Sequence, residues 1–148
     1  NPQGIKGKRV VLKPNFNTAD PTPGSTHNDT LAQIVAELQE RGARSITLGE
    51  SSARVTREVM ETKGIFDMAR DLRFEILDYE QTADSDWVAF QAAHWPQGFS
   101  LPRHIAQAEY VVTTPCIKPH KPLGVFTMSL TLAVGLTPTP IRRPSSTS

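Results

Sequence analysis

The sequence predicts a three-layer α/β fold in which a mostly parallel sheet carries helices on both faces. Three observations predict it. Short apolar runs such as "RVVL" show no polar alternation, as expected of strands covered on both sides. Between the early runs lie stretches whose apolar residues recur at helical spacing. The resulting order, β-α-β-α-β, calls for crossovers, and right-handed crossovers pack their helices back against a parallel sheet. The layout is doubly wound and Rossmann-like, without a dinucleotide fingerprint.

The first strand is "KRVVLKPNF", where Val10, Val11 and Leu12 run without interruption to Pro14 and Asn15. A loop rich in Pro, Gly, Ser and Thr leads to "HNDTLAQIVAELQERGA". There Leu31, Ile34, Val35 and Leu38 share one helical face, Asn28 or Asp29 serves as N-cap, and Gly42 stops the helix. "SITLGESS" is a second strand, "VTREVMETKGIFDMARDL" one helix or two broken at Gly64, and "RFEILDYE" a third strand. Residues 81–107 hold one or two short strands and a short helix beginning near Pro102. "AEYVVTTPCIKPH" is a fourth core strand, and "LGVFTMSLTLAVGL" is a helix with Val125, Met128, Leu132 and Leu136 on its face. Residues 1–136 thus read as a single α/β domain. The Pro, Ser and Thr-rich residues 137–148 have nothing to bury and read as a disordered tail.

Composition narrows the function classes. At 148 residues with a net charge of +1, 38% hydrophobic and 21% charged residues, the chain is long enough for one core and too balanced in charge for general attraction to nucleic acid. No apolar run reaches the roughly 18 to 20 residues of a membrane span. Cys116 is the only cysteine, so the chain by itself forms no internal disulfide and holds no iron–sulfur cluster of four cysteines. That usage points to a reducing compartment, and the cytoplasm is the expected location. The start "NPQGIKGKRVV" shows no signal-peptide pattern, but it lacks an initiator methionine and so is compatible with a removed export signal.

In an open parallel sheet, ligands bind beyond the carboxyl ends of the strands, where loops meet helix N-termini. The first strand delivers Lys13 and Asn15 to that edge, and its loop delivers Thr26 and His27. The second delivers Glu50, Ser51, Ser52 and Arg54, the third Asp78 and Glu80, and the fourth Thr113, Thr114, Lys118, His120 and Lys121. A cluster with cations at Lys13, Arg54, Lys118 and Lys121 suits a phosphate or carboxylate, although loop lysines are commonly just solvated. Lys13 and Lys118 stand out because each follows an apolar strand and precedes a proline that fixes the exit direction of the chain.

His27 and His120, with Glu50 or Asp78, are compatible with a two-histidine, one-carboxylate metal site, but no local ligand spacing selects one, and the metal remains unassigned. Glu50 suits a general base or a helix-capping partner. Cys116 reads as a small packed residue or a reactive thiol. No GxGxxG follows the first strand, no GxxxxGK[ST] occurs, and "GESSA" lacks the closing glycine of GxSxG.

Taken together, "GKRVVLKPNF", "STH" before the first helix, "GARSITLGESS" with "TREVMETKGI", and "AEYVVTTPCIKPHKPLGVFTMSL" resemble, in this order, the uncharacterised family called domain of unknown function 362. The resemblance covers about Ile5 to Leu136. It implies recurring polar residues at Lys13 and Asn15, Thr26 and His27, Glu50 and Ser51, and Lys118 and His120. It also implies an association with ferredoxin-like iron–sulfur segments, which this chain does not contain. Family members usually carry a Lys-Asn pair within the final helix where this chain has Thr131 and Leu132, and their domain generally continues further, so this chain resembles a partial version of it. A fainter similarity to the amino-terminal region of lactate racemase-like proteins bears on fold only.

The leading functional expectation is a domain that binds a small anionic ligand through Lys13, Asn15, Thr26, Ser51, Ser52, Lys118 and Lys121, with His120, His27 or Glu50 available for acid/base chemistry. The rival is a non-catalytic accessory or partner domain of an iron–sulfur electron-transfer protein, docked through the same edge. A third reading is a truncated, inactive relic. Cofactor, substrate and oligomeric state are not legible in the residues.

Overall fold

The computed structural model describes residues 4–52, 54–93 and 95–117. Lys118, His120, Lys121, Thr131, Leu132, the helix expected after Pro122 and the expected tail lie outside the described residues, as does His94.

Four strands form one sheet: β1 (Arg9–Pro14), β2 (Ser45–Glu50), β3 (Glu75–Asp78) and β6 (Tyr110–Thr114). Their spatial order is β3-β2-β1-β6 and every pairing is parallel. Val11 lies opposite Thr47 on one side and Val111 on the other, and Leu48 lies opposite Ile76. Helices α1 (Asn28–Glu40), α2 (Thr56–Thr62) and α3 (Ile65–Leu72) connect the first three strands. The result is a four-stranded parallel sheet flanked by helices, a three-layer α/β fold.

The chain grows from β1 outward through β2 to β3, then returns across β1 to place β6 on its far side. The strand order therefore reverses at β1. The return connection holds an antiparallel hairpin of β4 (Trp87–Ala92) and β5 (Trp95–Pro102), followed by the short helix α4 (Arg103–Ala106). Phe90 and Phe99 stack across the hairpin with ring centroids 5.5 Å apart.

Burial follows the sequence pattern. Val10, Val11 and Leu12 are all buried, as a strand covered on both faces requires. Val10, Leu12, Ile46 and Leu48 alternate onto one face and pack with Leu31, Val35 and Leu38 of α1, Val59 and Met60 of α2, and Ile65 and Ala69 of α3. Next to the sheet end, Tyr79 lies against Gly49 so closely that a Cβ there would overlap its phenol group. Glycine in β2 is a condition for that approach.

The N-cap of α1 is His27, not Asn28 or Asp29: its backbone is extended and its Nδ1 accepts a hydrogen bond from Asp29 N at 3.1 Å. Asn28 is otherwise engaged, since its carboxamide donates to the Lys63 carbonyl at 2.7 Å and ties the start of α1 to the end of α2. The stretch with Gly64 forms two helices, because Gly64 adopts the left-handed conformation (φ 68°) between them. Gly42 ends α1 in the same way (φ 76°), as expected.

Candidate functional site

The carboxyl end of β1 carries most of the buried polar groups. Lys13, Asn15, Ser25, Thr26 and Glu50 are each at most 5% exposed. Polar groups buried this deeply are costly unless they are paired, so their partners define what the site is built to do.

Glu50, the last residue of β2, is entirely buried and forms an ion pair with Lys13. Its Oε1 accepts from the Lys13 ammonium and from Ser51 N at 2.8 Å, and its Oε2 accepts from Phe16 N at 3.1 Å. The ammonium also donates to the Pro14 carbonyl at 3.0 Å. Parallel register explains the meeting across 37 positions, because Leu12 lies opposite Leu48 and the two chain ends leave the sheet side by side. Burial pushes the Glu50 carboxyl up, while the Lys13 ammonium and the two backbone N–H groups pull it back. Burial, reinforced by the neighbouring Glu50, pushes the Tyr79 hydroxyl well above its ordinary value. Lys13 is thus not a free cation: its charge is matched by Glu50.

On the other side of β1, Thr26 closes the reversal point. Its Oγ1 accepts from Asn15 N at 2.9 Å and donates to the Thr114 carbonyl at 2.8 Å, while Thr26 N donates to the Asn15 carbonyl at 3.0 Å. One hydroxyl therefore ties the β1 loop to the end of β6. Thr26→Val keeps the shape and removes that hydroxyl, leaving Asn15 N without its acceptor; it is expected to lower stability by about 1 to 3 kcal/mol in urea unfolding.

Asn15 differs from its neighbours. Its backbone is fully engaged with Thr26, and it is 1% exposed, yet neither Nδ2 nor Oδ1 has a hydrogen-bond partner among the described residues. Buried carboxamides are normally satisfied, so this donor and acceptor set Asn15 apart from Lys13, Thr26 and Glu50, whose polar atoms are paired.

The remaining predicted residues are less central. Ser51 contributes its backbone N–H to Glu50, and Ser52 donates its hydroxyl to the Phe16 carbonyl at 2.6 Å. His27 is exposed and its Nδ1 is occupied by capping α1. Glu80 accepts from Thr56 N at 3.2 Å, and Arg54 lies exposed. Among the described residues, no three His, Cys, Asp or Glu side chains converge as a metal-binding group. Lys118, His120 and Lys121 lie outside the described residues.

The structure also brings in residues the strand-end rule does not reach. Lys63, in the turn between α2 and α3, donates to Ser25 Oγ at 2.9 Å and places its ammonium 5.0 Å from the centre of the Phe16 ring. Burial lowers its amine below the ordinary lysine value, and the nearby Cys116 draws it partly back. Phe16, wholly buried, carries the backbone groups that bind Glu50 and Ser52. Gly64 beside it gives a helix-break signal in the sequence, but nothing local shows that Lys63 reaches the end of β1.

No curated protein and no solved structure matches the chain. A family model does, over residues 10–147, which include β1, the reversal point and the polar segment after β6. On that match the chain belongs to the family described as domain of unknown function (DUF362).

Proposed function

We propose that this chain binds a small anionic molecule in the crevice at the carboxyl ends of β1 and β6. The observation that carries the proposal is the Asn15 carboxamide, buried at the end of β1 with both of its polar atoms unpaired among the described residues. The setting supports it, because ligands of open α/β sheets sit where the strand order reverses, and here it reverses at β1. Lys118 and Lys121 add positive charge from the segment following β6, and Thr26, Ser51 and Ser52 shape the loops around the crevice. In this reading the neutral Lys13–Glu50 pair holds the loop ends in place rather than contacting the ligand. His120 is the proton carrier in any acid/base step, with His27 as the second candidate.

Asn15→Leu separates a binding role from a structural one. Leucine is close in size and removes an unsatisfied buried amide, so the free protein is expected to melt at the same or a higher temperature. The wild type is expected to gain stability in saturating inorganic phosphate or glycolate, by about 2.7 kcal/mol at a hundred times the dissociation constant, and the variant to gain much less. A variant that loses stability and still responds fully to both anions would overturn the proposal.

A second reading is favoured by one observation. Ile117, three residues beyond the end of β6 at Thr114, is 79% exposed, which suits protein docking at this edge. The partner implied by the family resemblance is a ferredoxin-like iron–sulfur protein. Ile117→Ser would weaken such docking and leave anion binding unchanged.

A further inference from the structure

We infer that Lys63, in the turn between α2 and α3, supplies a ligand-binding cation of the β1–β6 crevice, for a small oxyanion such as a carboxylate or phosphate. The inference rests on the ligand site proposed above and adds to it a cation from α2–α3 that the strand ends do not supply. Lys13, the first candidate by sequence, is already matched: it is buried against Glu50 and also donates to a backbone carbonyl. Lys63 is in the opposite situation. Its ammonium donates to the neutral hydroxyl of Ser25 and lies over the Phe16 ring, and no carboxylate pairs with it among the described residues.

Its neighbours place it. Ser25 precedes Thr26, whose hydroxyl bonds Asn15 N and the Thr114 carbonyl; Phe16 follows Asn15; and Cys116, which biases Lys63 electrostatically, lies two residues past Thr114. All three surroundings of the ammonium therefore belong to the carboxyl ends of β1 and β6. The backbone of the turn is held as well, because the Lys63 carbonyl accepts from the Asn28 carboxamide. A partly buried ammonium that pairs with no carboxylate among the described residues carries a desolvation cost that a bound oxyanion would offset. The π face of Phe16 favours a cation at that position and leaves the remaining N–H groups for a ligand. Asn15, offering both a donor and an acceptor, then contacts a neutral group of the ligand or a further oxygen of the same anion.

The test uses the full chain with inorganic phosphate and glycolate as probes in titration calorimetry. Lys63→Met is expected to raise the dissociation constant of a bound probe by about tenfold to hundredfold, the loss of one charge-assisted hydrogen bond, while Lys63→Arg keeps most of the affinity. A second readout requires no variant. An amine-acylating reagent at mildly alkaline pH, followed by peptide mass spectrometry, is expected to modify Lys63 in the free wild type, and a saturating probe is expected to slow that modification selectively. If the wild type binds a probe and Lys63→Met binds it equally, the inference is overturned while the ligand site stands. Should Lys63→Met fail to fold, absence of protection in the wild type overturns it in the same way. If the wild type binds neither probe, both the inference and the site beneath it fall.

Discussion

Replacing Glu50 with Ala is expected to destabilise the protein by about 3 to 5 kcal/mol, the cost of breaking a buried ion pair from one side. The carboxylate is wholly buried and gathers the Lys13 ammonium, Ser51 N and Phe16 N. Its removal leaves a buried ammonium without a counter-charge and two backbone donors without an acceptor. Lys13→Met alone is also expected to destabilise, because the carboxylate then stays buried without its cation. The paired variant Lys13→Met with Glu50→Gln removes both charges and keeps a carboxamide oxygen as acceptor, so it is expected to be more stable than Glu50→Ala. Urea unfolding at neutral pH checks all three, with an unchanged slope indicating that stability itself has moved. A Glu50→Ala penalty below about 1 kcal/mol would be that of an exposed pair and would contradict the buried arrangement.

Phe16→Ala is expected to cost about 3 to 5 kcal/mol, the range for emptying a buried aromatic position. The ring is fully buried in the same core cluster as Leu12, Leu31 and Met60, and Lys63 lies over its face. The backbone bonds of Phe16 to Glu50 and Ser52 do not depend on the ring and are expected to survive, so the loss is one of packing and of the cation–π contact. Phe16→Leu fills much of the volume and is expected to recover most of the stability without restoring that contact. Parallel unfolding curves for the two variants check the order. Equal, small losses in both would place Phe16 at the surface.

Much of the fold was legible because it rests on periodicity. Val10 to Leu12 form an uninterrupted run, and the strand they predict is buried on both faces; the spacing of Leu31, Val35 and Leu38 predicts the buried face of α1. The N-cap departs from local preference because capping is a competition: Asn28 has the stronger preference, but a tertiary bond to the Lys63 carbonyl takes its side chain and His27 caps instead. The strand-end rule brought Lys13, Asn15, Thr26 and Glu50 to one edge, since it needs only the parallel order of β1 and β2. It did not foresee that Lys13 and Glu50 neutralise each other, because that depends on register and burial rather than on position along the chain. Lys63 was out of its reach altogether. The residue sits on a helix end, and only the packing of α2 against the start of α1 brings its ammonium to Ser25 and Phe16. The segment of Lys118, His120 and Lys121 lies outside the described residues, and its part in the site stands as proposed.

The Asn15 carboxamide, unpaired among the described residues, is proposed to face a bound ligand. The most direct measurement is a proton–nitrogen correlation spectrum of the side-chain amides, with the Asn15 resonance assigned by its loss in Asn15→Leu, during titration with inorganic phosphate and glycolate. A saturable shift of the Asn15 Nδ2 signals, with the same dissociation constant that calorimetry gives, is the expected result. An Asn15 signal that stays fixed while exposed groups alone respond, or a wild type that binds neither anion, would contradict it.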